Sequence, residues 1–91
     1  MSSEFMSVER DEADRDIAKA QQQIAILTER LRHIESRLNR ALAKKQYHIV
    51  ESFQMQQIAI KGVREAYQQY IIKKWEVLAT IEFYRISIQD I

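Results

Sequence analysis

Ninety-one residues, 46% hydrophobic and 30% charged, with no Cys, no Pro and a single Gly, allow one small domain at most and exclude a disulfide framework and a thiolate metal site. Fourteen Lys and Arg against 13 Asp and Glu leave a formal charge of +1, lower than is typical of a nucleic-acid binder, and no run reaches the length of a membrane-spanning helix. The N-terminus lacks the basic and apolar regions of a signal peptide, so the expected location is cytoplasmic, with the nucleus left open.

Residues 1–7 are expected to be a disordered leader. MSSEF at 1–5 is followed at once by a second Met, and Glu-Phe is what an EcoRI cloning site encodes in one frame. The segment therefore reads either as a cloning leader or as an ordinary frayed terminus. Ser7 is a reasonable N-cap, with Glu9, Asp11 and Glu12 in the turn after it, so helix is expected from about residue 8.

From Ile17 the apolar residues recur every three or four positions: Ile17, Ala20, Ile24, Leu27, Leu31, Ile34, Leu38 and Ala41. That spacing is a heptad seam over 17–41 with Ile17, Ile24, Leu31 and Leu38 at a, and it obliges this helix to lie against another. Ile over Leu favours a dimer in one layer and Leu over Ile leans toward higher order in the next, so strand number stays open. Charge is polarised along the same stretch. Residues 1–16 carry Glu4, Glu9, Asp11, Glu12, Asp14 and Asp16 against Arg10 and Arg15, whereas residues 17–45 carry Lys19, Arg30, Arg32, Arg37, Arg40, Lys44 and Lys45 against Glu29 and Glu35. An acidic helix start complements the helix dipole. The same polarity also suits antiparallel or staggered pairing, acidic end on basic middle.

Past Leu38 the seven-residue register would bring Lys45 and His48 into the core. A spacing of eleven takes over in rows such as Leu27, Leu38, Ile49, Ile60 and Ile71, with Leu42 and Phe53 in a second row and Tyr67 and Leu78 in a third. Hendecad-like packing over 42–82, with a change of supercoil near Leu38–Leu42, is the expectation. A second apolar stripe (Met55, Ala59, Gly62, Ala66, Tyr70, Val77) stands about a third of a turn away from the first. It calls for a bundle of three or more helices over 49–84, with Ala59, Gly62 and Ala66 as points of close helix approach.

The fold class is therefore all-α: one long, nearly continuous coiled-coil helix over 8–82. The alternative is a helical hairpin, turning at 43–48 or at Gly62. Neither site has strong turn chemistry, although Ile58 and Val63 flank Gly62 as in a Schellman C-cap. The tail at 83–91, with Phe83, Tyr84, Ile86 and Ile88, fits helix and strand spacing alike and is a docking candidate.

Chemistry-bearing motifs are scarce. His33 and His48 have no second ligand at metal spacing, and no phosphate-binding, nucleophile-elbow or zincin motif occurs in the sequence, so neither enzyme, cofactor nor metal is expected. Trp75 reads as a core or interface anchor. Arg30, Arg37, Arg40, Lys44 and Lys45 could meet an anionic partner, but they are spread around the helix and read first as a solvated rim. In class only, the chain resembles small coiled-coil subunits of larger assemblies. The expected function is an oligomerisation or scaffold subunit, pairing with itself or another coiled coil through Ile17, Ile24, Leu27, Leu31, Ile34, Leu38, Leu42, Ile49, Phe53, Ile60, Tyr67, Ile71 and Leu78. A dimeric nucleic-acid-associated regulator using residues 30–45 is the alternative.

Overall fold

The computed structural model describes residues 2–89, with side chains over 7–88. Met1, Asp90 and Ile91, which belong to the expected leader and tail, lie outside the described residues. Two helices fill the rest: α1, Ser2–Ala43, and α2, Tyr47–Gln89. They lie side by side in a hairpin 69 Å long and 15 by 13 Å across. The fold is all-α, and of the arrangements consistent with the sequence it is the hairpin turning within 43–48. The continuous helix over 8–82 is thus broken at Lys44–Gln46, and α1 begins ahead of the expected start near residue 8. Gly62 lies inside α2 and interrupts nothing.

The chain reverses through a motif that the sequence disguises. The Lys45 N–H donates to the Leu42 carbonyl (3.0 Å) and the Gln46 N–H donates to the Ala41 carbonyl (2.9 Å). This is the paired bonding of a Schellman C-cap, displaced from Gly62 to the end of α1. Lys45 holds the left-handed position at φ 58°, where Gly is usual. A non-glycine residue there costs about 1 kcal/mol. Gln46 then starts α2 with its carbonyl, which accepts from the Ile49 (3.1 Å) and Val50 (3.0 Å) N–H groups. The basic end of α1 at Arg40, Lys44 and Lys45 complements the exposed carbonyls there.

Burial explains why so modest a turn suffices. Ala13, Ile17, Ala20, Leu27, Leu31, Ile34, Leu38 and Ala41 are all buried, and Ile24 is half-buried. On α2, beside half-covered Ile49, Glu82 and Ser87, the covered positions are Val50, Phe53, Gln57, Ile60, Arg64, Tyr67, Ile71, Lys74, Leu78 and Ile81. They recur every three or four residues without a gap, so α2 also carries a heptad seam. The hendecad rows expected over 42–82 give way to it because the chain turns back, and the phase need not run on from α1. No change of supercoil is required near Leu42. The register is antiparallel: Ile71 packs with Ile17 and Ala20, and Val50 with Leu38 and Ala41. Between those clusters α2 supplies Gln57 and Arg64, whose long stems can cover apolar surface while their polar ends reach water.

Candidate assembly interface

The two helices differ in what they leave outside. With Val50 at heptad position a, α2's seam takes a and d, positions c and g form one flank, and b and e the other. Of large hydrophobic side chains exposed among the described residues, twelve lie on Tyr47–Ile88 and three (Val8, Ile26, Leu42) on α1. Val63, Tyr70, Val77 and Tyr84 form the g column. Ile58, Ile72, Trp75 and Ile86 lie on the b and e flank, and Met55 and Phe83 stand between the flanks at f. Ile58 is 70% exposed and Trp75 53%, and twelve such side chains on one helix form a surface rather than scattered single residues.

Twelve of the thirteen residues expected at an oligomer interface are brought together within one chain. Ile17, Leu27, Leu31, Ile34, Leu38 and Ile71 are buried, and Ile24, Ile49, Phe53, Ile60, Tyr67 and Leu78 are half-buried along the same seam. Leu42 alone stays outside, 45% exposed at the turn end. Ala59, Gly62 and Ala66 are exposed on α2's outer side, and a Cβ added at Gly62 would meet nothing within 4 Å, so the space for a close helix approach is open. Phe83, Tyr84, Ile86 and Ile88 are exposed on the last turns of α2. That end is helical, with the Phe83 and Tyr84 rings edge to face at 5.9 Å. Arg30, Arg37, Arg40, Lys44 and Lys45 are exposed and gathered toward the turn end.

Polar contacts fasten the open end of the hairpin. Lys74 sits at a d position of the seam, and its Nζ lies 3.1 Å from the Asp16 carboxylate and 5.3 Å from the centre of the Tyr70 ring. The hydrogen bond to Asp16 raises the Lys74 pKa above its ordinary value. Arg10 and Glu82, 3.9 Å apart, add a looser pair further out. On α1's outer surface Arg32 and His33 both reach Glu29. The hydrogen bond from Arg32, foremost, holds the Glu29 carboxyl below the usual range.

Open grooves run along the flank formed by the g columns of the two helices. Tyr67 and Tyr70 meet Asp16 and Gln23 in one, Val77 and Tyr84 face Glu9 in another, and Val63 and Ala66 border Tyr70 in a third. The sequence reading missed Ile58 and Ile72 as surface residues, because their place outside the seam is visible only once α2 has its own heptad phase. The chain matches no family model, no curated protein and no solved structure. No helix among the described residues is long and apolar enough to cross a membrane.

Proposed function

We propose that this chain is a non-catalytic assembly subunit, a two-helix hairpin that uses α2's outward apolar face to join a larger helical bundle. The observation that carries this reading is the contrast between helices of nearly equal length, one polar outside and the other apolar. Exposed apolar area of that extent is normally covered in a working protein. The α1 seam, being filled by α2, supplies the subunit's own stability, and the partner is left the flanks of α2. Rows of Gln and small residues between the apolar positions suit packing against further helices.

The test is site-specific photocrosslinking in the intact cell from single positions on each outer face. Probes at Ile72 or Val77 are expected to give discrete, several-fold stronger adducts than probes at Gln22 or Ser36. Equal crosslinking from both helices would contradict the proposal. A second reading, an anionic partner gripped by the turn end, is supported by the exposed cluster of Arg30, Arg37, Arg40, Lys44 and Lys45. Binding of that kind would weaken steeply with salt, unlike association through apolar side chains.

A further inference from the structure

We infer that the face built from the c and g columns of both helices is covered by a second copy of this chain, the two hairpins stacking head to tail as a four-helix bundle. The inference rests on the assembly reading above and names its partner. On α2 this face carries Ala59, Val63, Ala66 and Tyr70 at alternating spacings of four and three, and the same spacing continues through Lys73, Val77, Thr80 and Tyr84. That is a second seam on the same helix, bordered by open grooves.

The α1 half of the face says who sits there. With Ile17 at a, Glu9, Glu12 and Asp16 occupy g and c near the open end with Lys19 as the one base among them, and Arg30, Arg37 and Arg40 occupy g and c near the turn. The row changes sign along its length. Two hairpins can stack these faces with two-fold symmetry in two ways. Rotation about the long axis sets α1 of each copy on α2 of the other, which opposes charged rows to apolar ones. Rotation about the in-plane short axis sets α2 on α2 and α1 on α1, head to tail. Only the second arrangement brings apolar stripe to apolar stripe and Glu9 and Glu12 toward Arg40 and Arg37, with Lys19 against Arg30 as its one like-charged pair, so it is the more self-complementary one.

Register and size agree. Ala66 lies near the middle of α2, between Val63 and Tyr70, where its small side chain lets the two backbones approach. The packing of Ile71 on Ile17 and Ala20, and of Val50 on Leu38 and Ala41, sets Ala66 opposite about residue 24 of α1, and Glu12 and Arg37 stand 12 and 13 residues either side of it, so the same rotation brings Glu12 of each copy to Arg37 of the other. A face 69 Å long and 15 Å wide offers on the order of 1,000 Å² per copy, above the ~800 Å² per partner of a standard interface. Trp75 and Ile72, on the opposite flank, stay outside this contact.

The experiment is sedimentation equilibrium on the purified full chain, with the helical circular dichroism of each variant as a control. A mass twice that of the 10.9 kDa chain is expected. Val63→Glu with Val77→Glu, both at exposed positions, should raise the dimer Kd about 100-fold with helicity kept. Glu12→Arg and Arg37→Glu should each weaken the dimer by about 2- to 5-fold, and the double exchange should restore it. Along one α1 these residues lie roughly 37 Å apart, so rescue reports a contact between chains. Trp75 should remain open to acrylamide in the dimer. A monomer at millimolar concentration, a dimer indifferent to the paired Glu variant, exchange without rescue, or a shielded Trp75 would each overturn the inference. None of these outcomes bears on the crosslinking contrast between α1 and α2, by which the broader assembly reading stands or falls.

Discussion

α1 and α2 are of nearly equal length, 42 and 43 residues, and they solve opposite problems. α1 has one apolar stripe, buried or half-buried against α2, and an exterior that is polar apart from Val8, Ile26 and Leu42. α2 puts Gln57, Arg64 and Lys74 into its half of the seam and leaves Ile58, Ile72, Trp75 and Val77 outside. The difference teaches that the hairpin is finished from α1's side and unfinished from α2's. α1 serves the folded unit alone, whereas α2 serves it with one face and leaves a second apolar face exposed.

The harshest way to break this contrast is to charge the seam of α1. Leu31→Asp with Leu38→Asp puts two carboxylates where both side chains are 8% exposed. The cost is several kcal/mol, and loss of helical circular dichroism at every concentration is expected, since the seam serves the hairpin itself. A milder pair sharpens the comparison within α2. Ile71→Ala removes a side chain that is 6% exposed and should destabilise the hairpin by about 2–4 kcal/mol in urea denaturation. Its neighbour Ile72→Ala, 42% exposed, should stay within about 0.5 kcal/mol under conditions where the chain is monomeric.

Two substitutions act in the other direction. Gly62→Ala adds a methyl group in open space within α2 and should stabilise by about 1 kcal/mol. Lys45→Gly relieves the left-handed residue at the turn and should gain up to about 1 kcal/mol. A fall in melting temperature for either would contradict the described helix or turn. The smallest effect is electrostatic. Because Lys74 has a raised pKa in the fold, its pairing with Asp16 contributes at neutral and mildly alkaline pH and is lost as pH climbs past the ordinary 10.5 and through the raised value. Urea midpoints of the wild type and Asp16→Asn should therefore differ at neutral pH and converge in strong alkali.

The helical class and nearly the whole seam of α1 were legible because Ile17, Leu27, Leu31 and Leu38 repeat without exception and no Pro interrupts them. The second apolar stripe through Tyr70 and Val77 was legible too, and the hairpin leaves both side chains exposed. The reversal was legible only as the alternative, in the register that fails at Lys45 and His48, since its left-handed residue is Lys45 rather than Gly and its hydrogen bonds are all backbone to backbone. The α2 seam was hidden for a related reason. Polar residues with long stems fill three of its positions, while apolar ones fill its flanks, so a search for greasy rows settles on an eleven-residue spacing that crosses the turn. Gly62, the one residue with obvious breaking chemistry, stays helical because its neighbours on either side belong to one continuous seam.

The central claim is that α1 closes on the α2 of its own chain, and a swapped dimer of straight helices would form the same pairs between chains. The chain has no Cys, so Gln21→Cys and Gln68→Cys, exposed side by side on the flank away from the inferred dimer face, can carry a pair of spin labels. Their distance is best measured by pulsed electron resonance after refolding the labelled chain in a large excess of unlabelled chain. A short distance that survives dilution is the expected result. A short distance that vanishes on dilution would mean that the helices pair only between chains, and the hairpin account would be wrong.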